Sequence, residues 1–231
     1  MKVEIWSDIV CPFCYIGKRK FEKALEKFPA REQVEIVWRS FQLDPGMKVI
    51  PGQTVHQYLA ERKGVSLEKG KEMNAYMTNV AKEVGLEYNF NIAIINNTLD
   101  AHRLLHLAKK KDVQNELKEK LFAAYYTEGK DIADHQVLIS IGERAGLEAE
   151  EIRQMLSGDE YLDKVKYDQH VAEEIGASGV PFYVFNNKYA VSGAQAPEVF
   201  EEVLNKVWQE ESPLITTGET GNSCTPDGIC N

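Results

Sequence analysis

The stretch Lys2-Val3-Glu4-Ile5-Trp6-Ser7-Asp8-Ile9-Val10-Cys11-Pro12-Phe13-Cys14 decides how this chain is read. Val3 and Ile5 alternate with Lys2 and Glu4, the two-residue period of a strand with one buried face. After Asp8 the period changes. Pro12 suits a first helical turn, where its missing N–H has no partner to lose, and Ile16, Lys20 and Phe21 follow at helical spacing. Cys11 is therefore expected at the N-cap of a helix, with Cys14 on its first turn.

A thiol at a helix N-terminus meets unpaired backbone N–H groups and the positive end of the helix dipole, so the pKa of Cys11 is expected to fall. A fall from about 8.5 to about 6.5 raises the thiolate fraction at pH 7 roughly 25-fold, and lower intrinsic nucleophilicity takes back roughly 8-fold. The larger gain is that Cys11 becomes a good leaving group when Cys14 attacks a mixed disulfide. Cys14, better shielded one turn on, suits a resolving thiol. Two other readings compete: a structural disulfide, whose loop is too small to staple a fold of this size, and half of a zinc site.

The chain has 231 residues, of which 43% are hydrophobic, enough for a proper core. Its formal net charge of -9 leaves no surplus of Lys and Arg to displace counterions, which argues against a nucleic-acid partner. Lys18-Arg19-Lys20 and Lys109-Lys110-Lys111 have acidic neighbours and read as solvated helix faces. The start runs straight into a strand, without the pattern of a secretory leader, and no apolar run of membrane-spanning length occurs. A cytoplasmic protein that does not enter the membrane is the expectation. In that reducing compartment a Cys-x-x-Cys pair is more often catalytic or metal-binding than structural.

The first helix is expected from Pro12 to about Phe28, where Pro29 stops it, followed by a β-rich run from Val34 to Phe41. Strand, helix and strand at this spacing make a right-handed βαβ unit with parallel strands. From Asp44 the strand signal vanishes. Helical periods follow at about Val55 to Lys63, Leu67 to Val84, Thr98 to Lys110, Gln114 to Glu128, Gln136 to Ala145, Glu148 to Leu156 and Tyr161 to Ile175. Strand pattern returns from Gly179 to Phe185, turns at Asn186-Asn187 and continues from Lys188 to Ser192, a hairpin. Ala196 to Gln209 forms a last amphipathic helix. These elements give an α/β fold: a four-stranded core over 1–43 and 177–211, interrupted by an all-helical insertion over 44–176.

The Cys-Pro-Phe-Cys pair after the first strand, the Val180-Pro181 dipeptide opening the third, and the helical insertion resemble the DsbA family of the thioredoxin-like superfamily, over roughly residues 1–210. Asn97-Thr98-Leu99-Asp100-Ala101-His102-Arg103-Leu104 is similar to the stretch that marks the FrnE branch and the hydroxychromene-carboxylate isomerases. The resemblance implies a thioredoxin-like fold, Cys11 and Cys14 as the redox cysteines, and a cis Val180–Pro181 bond that orients substrate with no backbone N–H at the proline. Pro12-Phe13 departs from the Pro-His pair of the exported oxidants, which predicts a less oxidising couple.

After Glu211 the residues turn polar and glycine-rich, and 212–231 read as a flexible arm. Near its end, Cys224-Thr225-Pro226-Asp227-Gly228-Ile229-Cys230 places a turn between two cysteines whose sulfurs can meet in a small, labile loop. FrnE-like relatives include members with an additional cysteine pair, which supports Cys224 and Cys230 as an auxiliary redox pair. Metal binding by all four cysteines and an inert tail are the alternatives. His102 and His106 share one helical face at a spacing that metal sites use, but a lone pair of this kind reads first as surface or core-edge histidines.

The expected function is thiol–disulfide exchange through Cys11 and Cys14, relayed by Cys224 and Cys230, on a protein or a small molecule such as glutathione, with no bound cofactor and no metal. A glutathione-dependent isomerase or transferase is the first alternative, against which stands cysteine at position 11, where those relatives typically carry serine. A zinc-binding redox sensor is the second.

Overall fold

The computed structural model describes residues 1–211. Strand β1 (Lys2–Ser7) leads into α1 (Pro12–Lys27) and then to β2 (Glu35–Ser40). Seven helices follow: α2 (Val55–Lys63), α3 (Leu67–Lys82), α4 (Leu99–Lys110), α5 (Gln114–Tyr126), α6 (His135–Arg144), α7 (Ala149–Ser157) and α8 (Leu162–Glu174). The hairpin β3 (Phe182–Phe185) and β4 (Tyr189–Ser192) and the helix α9 (Pro197–Glu211) complete the described chain.

The four strands form one sheet in the order β2-β1-β3-β4. β1 runs parallel to β2, with Val3 opposite Ile36, and antiparallel to β3, with Ile5 opposite Tyr183. The expected βαβ unit and hairpin are therefore both present. Asn186 and Asn187 turn the hairpin at φ of 47° and 54°, left-handed values that asparagine tolerates. The third strand starts later than its pattern suggested. Gly179, Val180 and Pro181 form a loop, because proline brings no N–H to a ladder.

The period-two pattern of β1 sorts its side chains between two layers. Val3 and Ile5 are fully buried with Phe21, Tyr183, Phe185, Phe200 and Leu204, the core between the sheet and helices α1 and α9. Trp6, on the other face, packs with Ala172 of α8 and donates from Nε1 to the carbonyl of Asp168 at 2.8 Å. A second core belongs to α2 to α7, and Cys11, Cys14, Tyr15 and Ile16 at the start of α1 pack into that one, not into the sheet core. Local signals set the helix ends: Thr54 and Gln57 form a reciprocal capping box on α2, and Ser66 and Asp134 cap α3 and α6.

The basic run on α1 is not a solvated face. Lys18 is buried and its ammonium reaches Glu22 at 2.5 Å and Glu119 of α5 at 2.7 Å, while Arg19 pairs with the same Glu119. Acidic residues near in sequence suggested solvated pairs; the partner that buries this run lies a hundred positions away. No helix of the described residues is long and apolar enough to cross a membrane.

Candidate functional site

Cys11 is the N-cap of α1, in an extended backbone conformation (φ -87°, ψ 111°), and Pro12 opens the helix. The Cys14 N–H donates to the Cys11 carbonyl at 3.0 Å, which fixes the two residues on one turn. Both side chains are buried: Cys11 is 4% exposed and Cys14 0%, so the expected difference in shielding is small. The Cys11 thiol donates to the carbonyl of Val180 at 3.4 Å. The Val180–Pro181 peptide bond is cis. Sequence reasoning thus named four residues, 11, 14, 180 and 181, that the fold brings to one place from opposite ends of the described chain.

Close approach of α1 to the Pro181 loop requires Gly17. A Cβ there would lie 2.5 Å from Tyr183 Oη and 3.0 Å from Pro181 Cγ, so any larger side chain would push the loop away from the cysteines. On the other side, Tyr88 donates to the Pro12 carbonyl at 2.8 Å and holds the Cys-x-x-Cys turn from the α3–α4 connection.

The expected fall in the Cys11 pKa is reversed. Its thiol is pushed well above the ordinary cysteine range, first by the hydrogen bond with Cys14, then by burial and by the charge of Cys14, with Asp8 adding to the effect; only the Cys14 N–H pulls the other way. Two sulfurs that share a hydrogen bond in a dry site do not both ionise near neutrality. The helix end is present, but burial, the second sulfur and a nearby carboxylate outweigh it.

Asp8 is buried behind the pair. Its Oδ1 lies 3.2 Å from His102 Nε2, and its Oδ2 accepts from the Leu43 N–H at 2.8 Å. Burial opposes ionisation of Asp8, yet the His102 hydrogen bond and charge, the Leu43 N–H and Lys118 together lower its pKa. Burial lowers that of His102 despite the Asp8 contact. The pair is therefore a carboxylate receiving an N–H from a neutral imidazole. His102 is fully buried, not a surface or core-edge residue, and His106 turns away to Ser40 Oγ at 3.1 Å and Asp168 at 3.3 Å. Those different partners separate the two histidines that share a helical face.

The rest of the 97–104 stretch has structural work around the site. Asn97 Oδ1 accepts from Gln42 at 3.0 Å and caps toward the Leu99 N–H at 2.9 Å. Arg103 donates to the carbonyls of Met155, Gly158 and Glu160, binding α4 to the α7–α8 connection. Asn97 and Arg103 thus hold two separate segments against the helix that carries His102.

A cavity of about 860 Å³ opens beside the cysteines. Asp8, Cys11 and Phe13 form one end, and apolar side chains such as Met47, Leu59, Met73 and Phe90 line much of the remainder. Phe13, one of the lining residues, is an exposed apolar side chain at 45%. Among the described residues no group of three or more His, Cys, Asp and Glu side chains could hold a metal ion. Cys224 and Cys230 lie outside the described residues.

Sequence reasoning missed Lys118, fully buried on α5, and Glu119 beside it. Lys118 stands three, four and seven residues before Leu121, Phe122 and Tyr125, the spacing of one apolar helix face and the signal that marks it for the interior, but the alternating charge of its immediate neighbours reads as a solvated helix.

The profile of the DSBA-like thioredoxin domain matches residues 2–205. The crystal structure of a probable DsbA oxidoreductase, SCO1869 from Streptomyces coelicolor, is 40% identical, covers 100% of this chain and 98% of its own, and superposes with a TM-score of 0.86. The uncharacterized protein YwbO of Bacillus subtilis (strain 168) is 26% identical over 208 residues, 88% of this chain and 95% of that one. The cytosolic disulfide reductase DsbM of Pseudomonas aeruginosa shares the fold at 15% identity, with a TM-score of 0.63 over 91% of this chain and 100% of its own, and has also been solved with GSH.

Proposed function

This chain belongs to the family of the DSBA-like thioredoxin domain, and from that premise we propose that it exchanges disulfides through Cys11 and Cys14. The observation that carries the reading is the meeting of the Cys11 sulfur with the Val180 carbonyl, next to Pro181 and at the end of an open apolar cavity. Once its thiol has lost its proton, Cys11 attacks one sulfur of a substrate disulfide; the substrate S–S bond breaks, its other sulfur leaves as a thiolate, and a mixed disulfide with Cys11 remains. Cys14 then attacks the Cys11 sulfur, the intramolecular disulfide forms, and the substrate sulfur leaves with the electron pair. The reverse sequence oxidises a substrate thiol.

The raised Cys11 thiol and the Pro12-Phe13 dipeptide both point to a reducing couple. A reduced form not held as thiolate is stabilised less than in strongly oxidising relatives. This favours reduction or isomerisation in the cytoplasm, with a small disulfide such as oxidised glutathione or a protein disulfide as substrate. The helical stretch 44–176, taken as an insertion domain between 1–43 and 177–211, supplies the cavity wall. Cys224 and Cys230 serve as an auxiliary pair that exchanges with Cys11 and Cys14.

Insulin reduction driven by dithiothreitol tests the central reading. It is expected to fall to background in Cys11→Ser, and activity that persists in that variant would overturn it. A redox titration with and without residues 212–231 tests the relay, which predicts two coupled transitions in the full chain and one in the shortened form.

A further inference from the structure

The cavity beside Cys11 has room for a whole small molecule, and its wall restricts which kind. Three of the chain's five methionines line it: Met47 after β2, and Met73 and Met77 on α3. Phe13 and Phe90 extend the apolar wall. Thioethers adapt to an inserted shape and make favourable contacts with aromatic rings, so this wall suits a flat aromatic body.

The charges on the wall balance. Arg62, Lys63 and Lys69 stand against Asp8, Asp44 and Glu72. Arg62 is held by Asp44 at 2.9 Å and Lys69 by Glu72 at 2.9 Å, while Asp8 accepts from His102 and from the Leu43 N–H. Lys63 has no ion pair among the described residues, but it is exposed, and a hydrated charge gains little from a partner. An ionised ligand would leave its hydration shell for a wall that returns no unpaired counter-charge from its interior. Oxidised glutathione, with carboxylates and an ammonium on each half, fits such a wall poorly.

Polar capacity is left over only as neutral groups. Asn96, 3% exposed, lines the cavity from the α3–α4 connection. Its Nδ2 donates to the Ile94 carbonyl at 2.9 Å, which sets the orientation of the amide, and its Oδ1 accepts from no donor among the described residues. Tyr125 of α5 lines the same cavity at 5% exposure, and its hydroxyl has no hydrogen-bond partner among the described residues. A buried acceptor without a donor destabilises its surroundings until a donor reaches it.

We propose that the substrate of Cys11 is an uncharged aromatic disulfide of low molecular weight, or the corresponding thiol, and that Asn96 selects it by accepting an amide N–H or a hydroxyl. This rests on the exchange reading above and narrows its substrate from small disulfides in general to uncharged aromatic ones.

The test uses thioethers, which bind without exchanging, so its failure is read separately from loss of exchange. Titration calorimetry on the reduced full chain compares para-methylthio-N-methylbenzamide with its N,N-dimethyl analogue, with para-methylthiobenzoate and with S-methylglutathione. The N-methylamide is expected to bind about tenfold more tightly than the dimethylamide, which has no N–H, and about tenfold more tightly than either charged probe. In Asn96→Leu, which keeps the size of the side chain without its acceptor, the preference between the two amides is expected to vanish. Met73→Trp, which fills the cavity, is expected to abolish N-methylamide binding. The inference is overturned if the wild-type chain does not bind the N-methylamide, if either charged probe binds as tightly, or if the amide preference survives in Asn96→Leu. An S-methylated insulin B chain that displaces the N-methylamide would assign the cavity to an extended protein segment and overturn it as well. Should Asn96→Leu not fold, the ranking of the probes on the wild-type chain decides.

Discussion

The two sides of α1 differ in what they ask of the sequence. Toward the sheet and α9 the helix presents Phe21 and Ala24 to Tyr183, Phe185 and Phe200, an apolar contact that any chain with the same alternation and helical stripe would make. Toward α5 it presents Tyr15, Lys18 and Arg19 to Glu119 and Phe122, a contact built of ion pairs and stacked rings. The first side holds the fold by area removed from water. The second, which contains both cysteines, also packs into an apolar core, and what sets it apart is the ion pairs it adds on the helix that carries them.

If that contrast is right, damage to the apolar side reads out as stability and damage to the polar side as chemistry. Phe200→Ala removes a fully buried ring that sits 5.5 Å from Phe21 and 4.7 Å from Tyr183. It is expected to cost about 3–5 kcal/mol in denaturant unfolding, with exchange per folded molecule unchanged. A large loss of exchange by the folded fraction would break the division.

Gly17→Ala tests where the two sides meet. Its Cβ would press on Tyr183 Oη and Pro181 Cγ, so a loss of about 1–3 kcal/mol is expected, together with a change in the alkylation rate of Cys11 as the Val180 carbonyl moves. Loss of stability with an unaltered alkylation rate would confine Gly17 to packing.

On the polar side, burial would raise the Glu119 pKa, but the hydrogen bond from Arg19 and the charge and hydrogen bond of Lys18 draw it down from 4.5 to about 2. A carboxylate with a depressed folded pKa contributes stability above its unfolded pKa, and that contribution is lost as pH falls from 4.5 toward 2. Glu119→Gln is therefore expected to cost about 1–2 kcal/mol at pH 7, after allowance for the part of the side chain in water. The deficit should shrink as pH falls below 4.5 and vanish only below pH 2, and a variant that stays equally weaker across the acid range would refute the assignment. The smallest effect belongs to Lys27→Ala. It deletes an exposed pair with Glu201 at 2.6 Å and is expected to leave thermal unfolding unchanged at any salt concentration.

Much of the fold was legible because its signals are short-range. The alternation of Lys2 to Trp6, Pro12 at a helix start and Asn186-Asn187 between two strand patterns each act within a few residues. What failed was environment. Lys18 read as solvated because its sequence neighbours are charged, and Glu119, the residue that buries it, comes from another helix. His102 read as a surface or core-edge side chain because helical spacing alone does not say that Asp8 lies opposite. Lys118 shares the helical stripe of Leu121, Phe122 and Tyr125, but its charge and that of its neighbours masked it.

The sequence by itself determined that a Cys-x-x-Cys pair caps the first helix of an α/β core, that the second strand pairs in parallel with the first, and that a hairpin and a last helix close that core. Those features follow from residue period, turn chemistry and the missing N–H of proline, which neighbours in the chain suffice to express. Only the tertiary structure decided that the cysteines are buried, that the Cys11 thiol is held protonated, and that Asp8 pairs with His102. A thiol's ionisation is set by how much water is removed from it and which charges replace that water, and those charges come from residues that only folding brings within a few ångströms.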